Sequence, residues 1–363
     1  MQADPVGDDR TAASRASPPS PGRLRVVQWA TGNIGTRSLR AVLEHPAMTL
    51  VGVHVYDDAK AGRDAGELCG GDPTGVVATS DPAAVRALGA DCVLYMPRSC
   101  DMEEVCGLLA SGANVVTTRG EFHRPASLEP AVRRRVEEAC AAGGTSIHSS
   151  GSSPGFISEA VPLVLSSIQR RLDRVTIDEY ADLSRRDSPV LLFELMGFGR
   201  DTASFDPGRW SHGAASFGPS LELTAEAWSL PLDSVTATGE VAVASRTVEI
   251  AAGRLEAGSV AAQRMVVTGW RGDHPFLTFR ANWYCTTELE PAWDLAPTGW
   301  RVVVDGDAPL DAELRFTVPL ERMAETSPGF TANRAVNAVP YVCAAPPGIR
   351  TSLELPQIVP DLR

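Results

Sequence analysis

The stretch RVVQWATGNIGTRSLRAVLEHP, Arg25 to Pro46, begins as an apolar run of strand character, breaks at Thr31 and Gly32, and continues with helical periodicity until Pro46 stops it. Such a break has two readings. One is a tight turn, since glycine supplies turn conformations without steric cost. The other is a seat for a dinucleotide diphosphate, because Gly32 and Gly35 would let backbone N–H groups at a helix N-terminus approach an anion. The spacing is AxGxxG, with Ala30 where the fingerprint usually has its first glycine. The apolar run MTLVGVHVY from Met48 then completes a βαβ unit of about 30 residues, the size of a mononucleotide-binding half. That context favours the dinucleotide.

Working outward, helical and strand-like segments alternate as DPAAVRALG, ADCVLYMP, DMEEVCGLLASG, ANVVTT, LEPAVRRRVEEACAAGG and TSIHSSG. Alternation of this kind predicts an α/β fold with a Rossmann-type, doubly wound parallel sheet, assigned to residues 23–155. From Phe156 the texture changes to long β-rich runs joined by RGDHP and DGDAPL turns, which predicts an α+β domain with an open antiparallel sheet over 156–328. Within it, Ser184 to Leu232 reads as a helix plus loops folding over a cleft. TANRAVNAVPYVCAA is a helix stopped by Pro346, and residues 329–363 are expected to return to the first domain, bringing Asn337 near the cofactor. Residues 1–22 contain no apolar h-region and read as a disordered leader.

A formal net charge of −12 supplies no basic field for nucleic acid, and no apolar run approaches the ~20 residues of a membrane helix. Seven cysteines, scattered and without a CxxC pair, indicate reduced core residues and a cytoplasmic protein. No histidine pair has ligand spacing, so no metal is expected. Lys60 is the single lysine, which excludes lysine-dependent covalent mechanisms elsewhere in the chain.

The cofactor expectation is NADP(H) or NAD(H), held by Thr31, Gly32, Asn33, Ile34 and Gly35. At the end of the second strand, Tyr56 and Asp57 stand where an acid would accept from an NAD ribose, whereas Lys60 and Arg63 would neutralise an NADP 2′-phosphate. Use of both nucleotides, or a preference for NADP, follows; the bland alternative is a solvated charged loop. Met96 and Pro97, from YMPRS, should pass beneath the nicotinamide ribose, with Thr117 on the next strand end. A valine at Gly35 is expected to remove cofactor binding without unfolding the protein.

Together RVVQWATGNIG, YDDAKAGRDAGELCG, GANVVTTRGEF, GSSPGF and TANRAVNAVP resemble the bacterial native amine dehydrogenases, relatives of 2,4-diaminopentanoate dehydrogenase often labelled dihydrodipicolinate reductase-like. The resemblance spans residues 24 to about 355. It implies NAD(P)H-dependent reductive amination of small ketones or aldehydes with ammonia, the reverse deamination, a cleft between two domains and a homodimer. It also implies an acid–base glutamate in the loop after the fifth parallel strand, and Glu121 of TTRGEF stands there. Diaminopentanoate dehydrogenases typically carry two acids at that loop and an Asn before PGF, whereas here Gly120 and Ser153 occupy those positions. A second substrate amino group is therefore not expected. The His-rich stretch and lysine of true dihydrodipicolinate reductases are missing.

A carboxylate at a strand C-terminus can accept a proton from ammonium, return it to departing water and stabilise an iminium, which suits Glu121; the bland alternative is a surface glutamate paired with Arg119 or Arg124. His148 is a second proton-donor candidate or a packed strand histidine. His148, Ser153, Phe156, Phe193 and Phe198 are the expected substrate-pocket residues, with Trp283 and Tyr284 as further wall candidates. Two other functions share the same cofactor domain: a reductase of a preformed imine or carbonyl, and a non-catalytic NADP-binding protein.

Overall fold

The structure is a computed structural model and describes residues 22–362; the expected leader lies, apart from Gly22, outside the described residues. Two seven-stranded sheets organise the chain. The first opens with β1 (Leu24–Trp29), α1 (Asn33–Glu44) and β2 (Met48–His54), followed by α2 (Ala65–Leu68), β3 (Ala78–Thr79), α3 (Pro82–Arg86), β4 (Cys92–Tyr95), α4 (Met102–Ala110), β5 (Asn114–Thr117), α5 (Pro130–Gly143) and β6 (Ser146–Ser149). Helical turns over Ser152–Ala160 lead through α6 (Val161–Ser166) to β7 (Leu172–Asp182). Next come α7 (Ser211–Ala227), β8 (Ser234–Ala244), β9 (Val248–Ile250), β10 (Gly253–Leu255), β11 (Val260–Arg271), β12 (His274–Tyr284), β13 (Leu289–Glu290), β14 (Gly299–Gly306) and β15 (Leu310–Arg315). The chain closes with α8 (Leu320–Cys343) and β16 (Gly348–Ile349).

The first sheet is parallel in the order β16-β6-β5-β4-β1-β2-β3, so the strand order reverses between β1 and β4. Ligands of open α/β sheets bind beyond the strand C-termini at such a switch point. Its strands read as continuous apolar runs because helices cover both faces: Val26, Leu94 and Val116 pack with α1 and α8, and Val27, Val93 and Val115 with α4 and α5.

The second sheet runs β13-β8-β11-β12-β7-β14-β15 and is mixed, which corrects the purely antiparallel expectation. β12 lies parallel to β7, Leu277 opposite Val175 through Tyr284 opposite Asp182, while the other neighbours are antiparallel. The cause is the long connection through α7, which starts the β8-β11-β12 meander at the far edge and returns β12 beside β7 in the same direction. α7 packs against β8 and β11. α8 begins eleven residues before the predicted start, carrying Pro328 and Pro340 inside it, because its packing against α1 outweighs the local breaker signal of SPGF.

At the β1–α1 junction Ala30 adopts φ +71°, a left-handed conformation costly for a non-glycine residue. Its carbonyl accepts from the buried Gln28 Nε2 at 2.9 Å and lies where a Cβ on Gly35 would sit, only 2.1 Å away. Gly35 is thus required for helix to lie on strand. The expectation that a valine there spares the fold is wrong, since the obstacle is backbone. Gly35→Ala should lower stability by about 1–3 kcal/mol through overpacking, seen as a reduced urea midpoint without any ligand present.

Candidate active site

α1 starts without help: Gly32 supplies no capping side chain and the first turn holds no acid. A Cβ on Gly32 would meet no atom within 4 Å, so the space over the turn is open. Unpaired N–H donors and the helix dipole in open space fit a dinucleotide diphosphate. Lys60 folds back here, its Nζ donating to the Thr31 carbonyl at 3.0 Å and lying 3.4 Å from the Thr31 hydroxyl. Asp57 turns inward to its own loop, accepting from Ala59 N at 3.0 Å, while Arg63 faces Glu67 at 3.9 Å. The Tyr56 hydroxyl accepts from Trp29 Nε1 (2.9 Å) and donates to Glu104 (2.6 Å), leaving its ring 54% exposed beside the turn.

The other expected cofactor residues reach the same strand ends. Met96 and Pro97 are buried directly after β4. Thr117 ends β5 and commits its hydroxyl to backbone, donating to Tyr95 O at 2.6 Å and accepting from Arg119 N at 3.1 Å. Asn337 is half-buried on α8, the helix packed against α1.

A cavity of about 250 Å³ opens from Asn33 and Ile34, past Ser152 and Ser153, to Glu179, Trp300, Phe316 and Phe330. Ser153 Oγ is buried and has no hydrogen-bond partner. Phe156 backs this wall, 5.9 Å from Trp300, and Phe316 stacks on Phe330 at 4.2 Å. Sequence reasoning missed Glu179. Val175, Ile177 and Glu179 share one face of β7, so an acid occupies the apolar phase of the strand, the signal that would have exposed it. Its two oxygens accept the indole N–H groups of Trp283 (3.1 Å) and Trp300 (3.0 Å).

Glu121 sits in a single 3₁₀ turn, Gly120–Phe122, immediately beyond β5. Arg119 Nη2 donates to Glu121 Oε1 at 2.9 Å, while Oε2 is buried without a partner. Nearby Cys100 is pushed up to about 12, first by burial and next by the charge of Glu121, so its thiol stays protonated. Arg124 is used elsewhere: it binds Glu226 (2.6 Å) and Glu222 (3.3 Å) of α7, tying that helix to the Glu121 loop. α7 therefore flanks this loop, with Ser216 O lying 3.4 Å from where a Cβ on Gly120 would stand.

Three pocket expectations need correction. His148 lies buried at the end of β6, its Nδ1–H donating to Arg350 O at 2.7 Å; burial lowers its pKa to about 4, leaving a neutral ring at neutral pH whose one N–H is committed to that carbonyl. Phe198 is 1% exposed and packs with Leu192, Leu255 and Tyr284 in a separate apolar cluster of the second sheet. Phe193 packs beside it, within 3.5 Å of the Cβ position of Gly199. Phe198 is buried in that cluster and the half-buried Phe193 packs against it, so neither lines the cavity wall, where Trp300, Phe316 and Phe330 stand instead. Among the described residues no group of three or more His, Cys, Asp or Glu side chains gathers to hold a metal, and no helix is long and apolar enough to cross a membrane.

Residues 156–361 match the family described as the 2,4-diaminopentanoate dehydrogenase C-terminal domain. The chain is 29% identical over 348 residues to a protein of Streptomyces virginiae named amine dehydrogenase, covering 92% of this chain and 96% of that one. It is 21% identical over 359 residues to the 2,4-diaminopentanoate dehydrogenase of Acetoanaerobium sticklandii, covering 92% and 94%. Among solved structures, that of the amine dehydrogenase from Mycobacterium smegmatis superposes with a TM-score of 0.75 at 21% identity, covering 93% and 97% of the two chains, and shares the fold.

Two outcomes follow from this geometry. Gly32→Val points a side chain into open space, so the melting temperature should hold while dinucleotide affinity, read by tryptophan quenching, falls at least about tenfold as the phosphate seat is blocked. For His148, the folded pKa lies below the unfolded value, so its contribution to stability is full above pH 6.5 and is lost as pH falls toward 4. Glu159 faces the ring and favours its charge; His123 and Arg334 oppose it. His148→Asn should flatten the fall of melting temperature between those pH values, compared with the parent chain.

Proposed function

The chain belongs to the family described as the 2,4-diaminopentanoate dehydrogenase C-terminal domain, and on that premise we propose that it catalyses reductive amination of small ketones or aldehydes with ammonia, and the reverse deamination. At the coarser level it is an NAD(P)-dependent oxidoreductase acting on amines, with NAD(P)(H) as cofactor. The observation that carries the finer reading is the enclosed, unpartnered Oε2 of Glu121 at the C-terminal end of β5. One carboxylate oxygen is anchored by Arg119 and the other is free to exchange a proton with a reacting nitrogen.

The balanced reaction joins a carbonyl compound, ammonia, NAD(P)H and a proton to give an amine, NAD(P)⁺ and water. Glu121 takes a proton from ammonium so that neutral nitrogen adds to the carbonyl carbon. It then returns a proton to the hydroxyl of the adduct, and water leaves. The ionised carboxylate finally faces the positive iminium and stabilises it. The cofactor, when bound, supplies the hydride. Thr31 to Gly35 would hold its diphosphate, Met96, Pro97 and Thr117 would border the nicotinamide end, and Asn337 would approach from α8. Ser153 and Phe156 border the substrate. Asp57 and Lys60 flank the ribose end, and both nucleotides are accepted.

The assembly in this reading is a cytoplasmic homodimer. All seven cysteines are free, which suits a reducing compartment.

Glu121→Gln preserves size but cannot accept a proton, so ammonia-dependent turnover should fall by ~10² to 10⁴, mainly in kcat, with dinucleotide affinity kept. Parent activity on C3 to C8 ketones and aldehydes should require ammonium. Turnover without ammonium would identify a carbonyl reductase, and near-parental turnover of Glu121→Gln would remove this residue from the chemistry.

A further inference from the structure

We propose that Arg186, carried by the strap that follows β7, clamps the diphosphate of the bound dinucleotide against the first turn of α1. The proposal rests on the dinucleotide seat described above. The strap is itself fixed: Ser184 N donates to Asp182 Oδ1 at 2.9 Å, Arg186 N to Leu183 O at 3.0 Å, and Ala251 N to Ser184 O at 2.8 Å. It delivers a half-buried guanidinium to the same cavity wall as Asn33 and Ile34. There Nη2 meets only a neutral partner, Ser327 Oγ of α8, at 3.2 Å.

The charges around it are arranged for an anion. Arg37 of α1 is close enough to disfavour the charge of Arg186, and burial acts in the same direction, ahead of it. Arg37 donates to Asn33 O at 3.3 Å. Among the described residues neither guanidinium is ion-paired with a carboxylate. The two acids on the cavity wall have other partners, Asp182 with Ser184 N and Glu179 with two indoles. Two like charges are therefore associated with the uncapped first turn of α1, Arg37 through Asn33 O and Arg186 through the shared cavity wall, and repel one another in the absence of an anion. A dinucleotide diphosphate brings two negative charges to that turn, and a guanidinium can meet phosphate oxygens with two parallel N–H groups. Because Arg186 belongs to the second sheet's half of the chain, the clamp joins the two halves through the cofactor.

The test is binding, measured on the unliganded full-length chain by tryptophan quenching with NADH and NADPH, and by competition with inorganic pyrophosphate. Arg186→Gln should weaken NADH and NADPH by the same factor, on the order of 10- to 100-fold for a charge-assisted phosphate contact, and should weaken pyrophosphate competition. Arg186→Lys, which keeps the charge and loses the fork, should recover part of the affinity and serves as the folding control. A loss confined to NADPH would assign Arg186 to the 2′-phosphate and overturn the proposal. Unchanged affinity for both nucleotides would also overturn it while leaving the dinucleotide seat intact. Failure of the parent chain to bind either nucleotide would remove the seat itself.

Discussion

The carbonyl of Ala30 occupies the place where any side chain at position 35 would begin, and the remaining architecture depends on that contact. Held by Gln28 and carried on a left-handed alanine, it lets α1 descend directly onto β1. The helix axis then points its bare N-terminus at the gap between β1 and β4, where the order of the sheet reverses. A bulkier turn would lift the helix, separate α1 from α8 and disperse the donors that face the cavity.

The two sheets meet through polar as well as apolar contacts. Buried Glu159 lies 2.7 Å from His123 Nδ1 and accepts from Ser220 of α7 at 2.7 Å; burial is the largest single influence and pushes its carboxyl up, but His123 and the hydroxyls of Ser352 and Ser220 together hold it below the usual range. Arg124 adds exposed ion pairs to the same helix. A buried pair of this kind contributes little net stability after desolvation, but breaking it leaves an uncompensated charge, which favours one docking of the halves over others. The Glu121 turn runs directly into His123 and Arg124, which make these two ties.

Most polar groups in the interior are matched, which makes the unmatched ones informative. Among the described residues, Glu121 Oε2 and Ser153 Oγ are buried without partners and Arg186 is not ion-paired with an acid. They lie along the boundary between the sheets and differ in sign and function. Anion-seeking groups cluster at α1, whereas the Glu121 carboxylate stands beyond β5 and the Glu179 carboxylate on β7. A ligand with a phosphate end and a nitrogen end matches that polarity.

Local pattern was sufficient for the first sheet, because each βα unit closes within about 30 residues and its periodicity is written in neighbouring positions. The Ala30-Gly32-Gly35 turn was legible for the same reason, whereas Glu121 after β5 was singled out through the family resemblance together with its place at a strand end. The second sheet was legible only as β-rich: whether β12 runs parallel to β7 depends on the path of a long connection, which no strand encodes. Burial was equally hidden. Phe193 and Phe198 have the composition of pocket walls but pack in a separate apolar cluster, and His148 has the chemistry of a proton donor but lies where desolvation keeps it neutral. Conversely Glu179 and Arg186 were not singled out from sequence. Their roles arise from partners on other strands and helices, Trp300 opposite Glu179 and Arg37 beside Arg186, so only the tertiary structure could supply the environment that gives each charge its meaning.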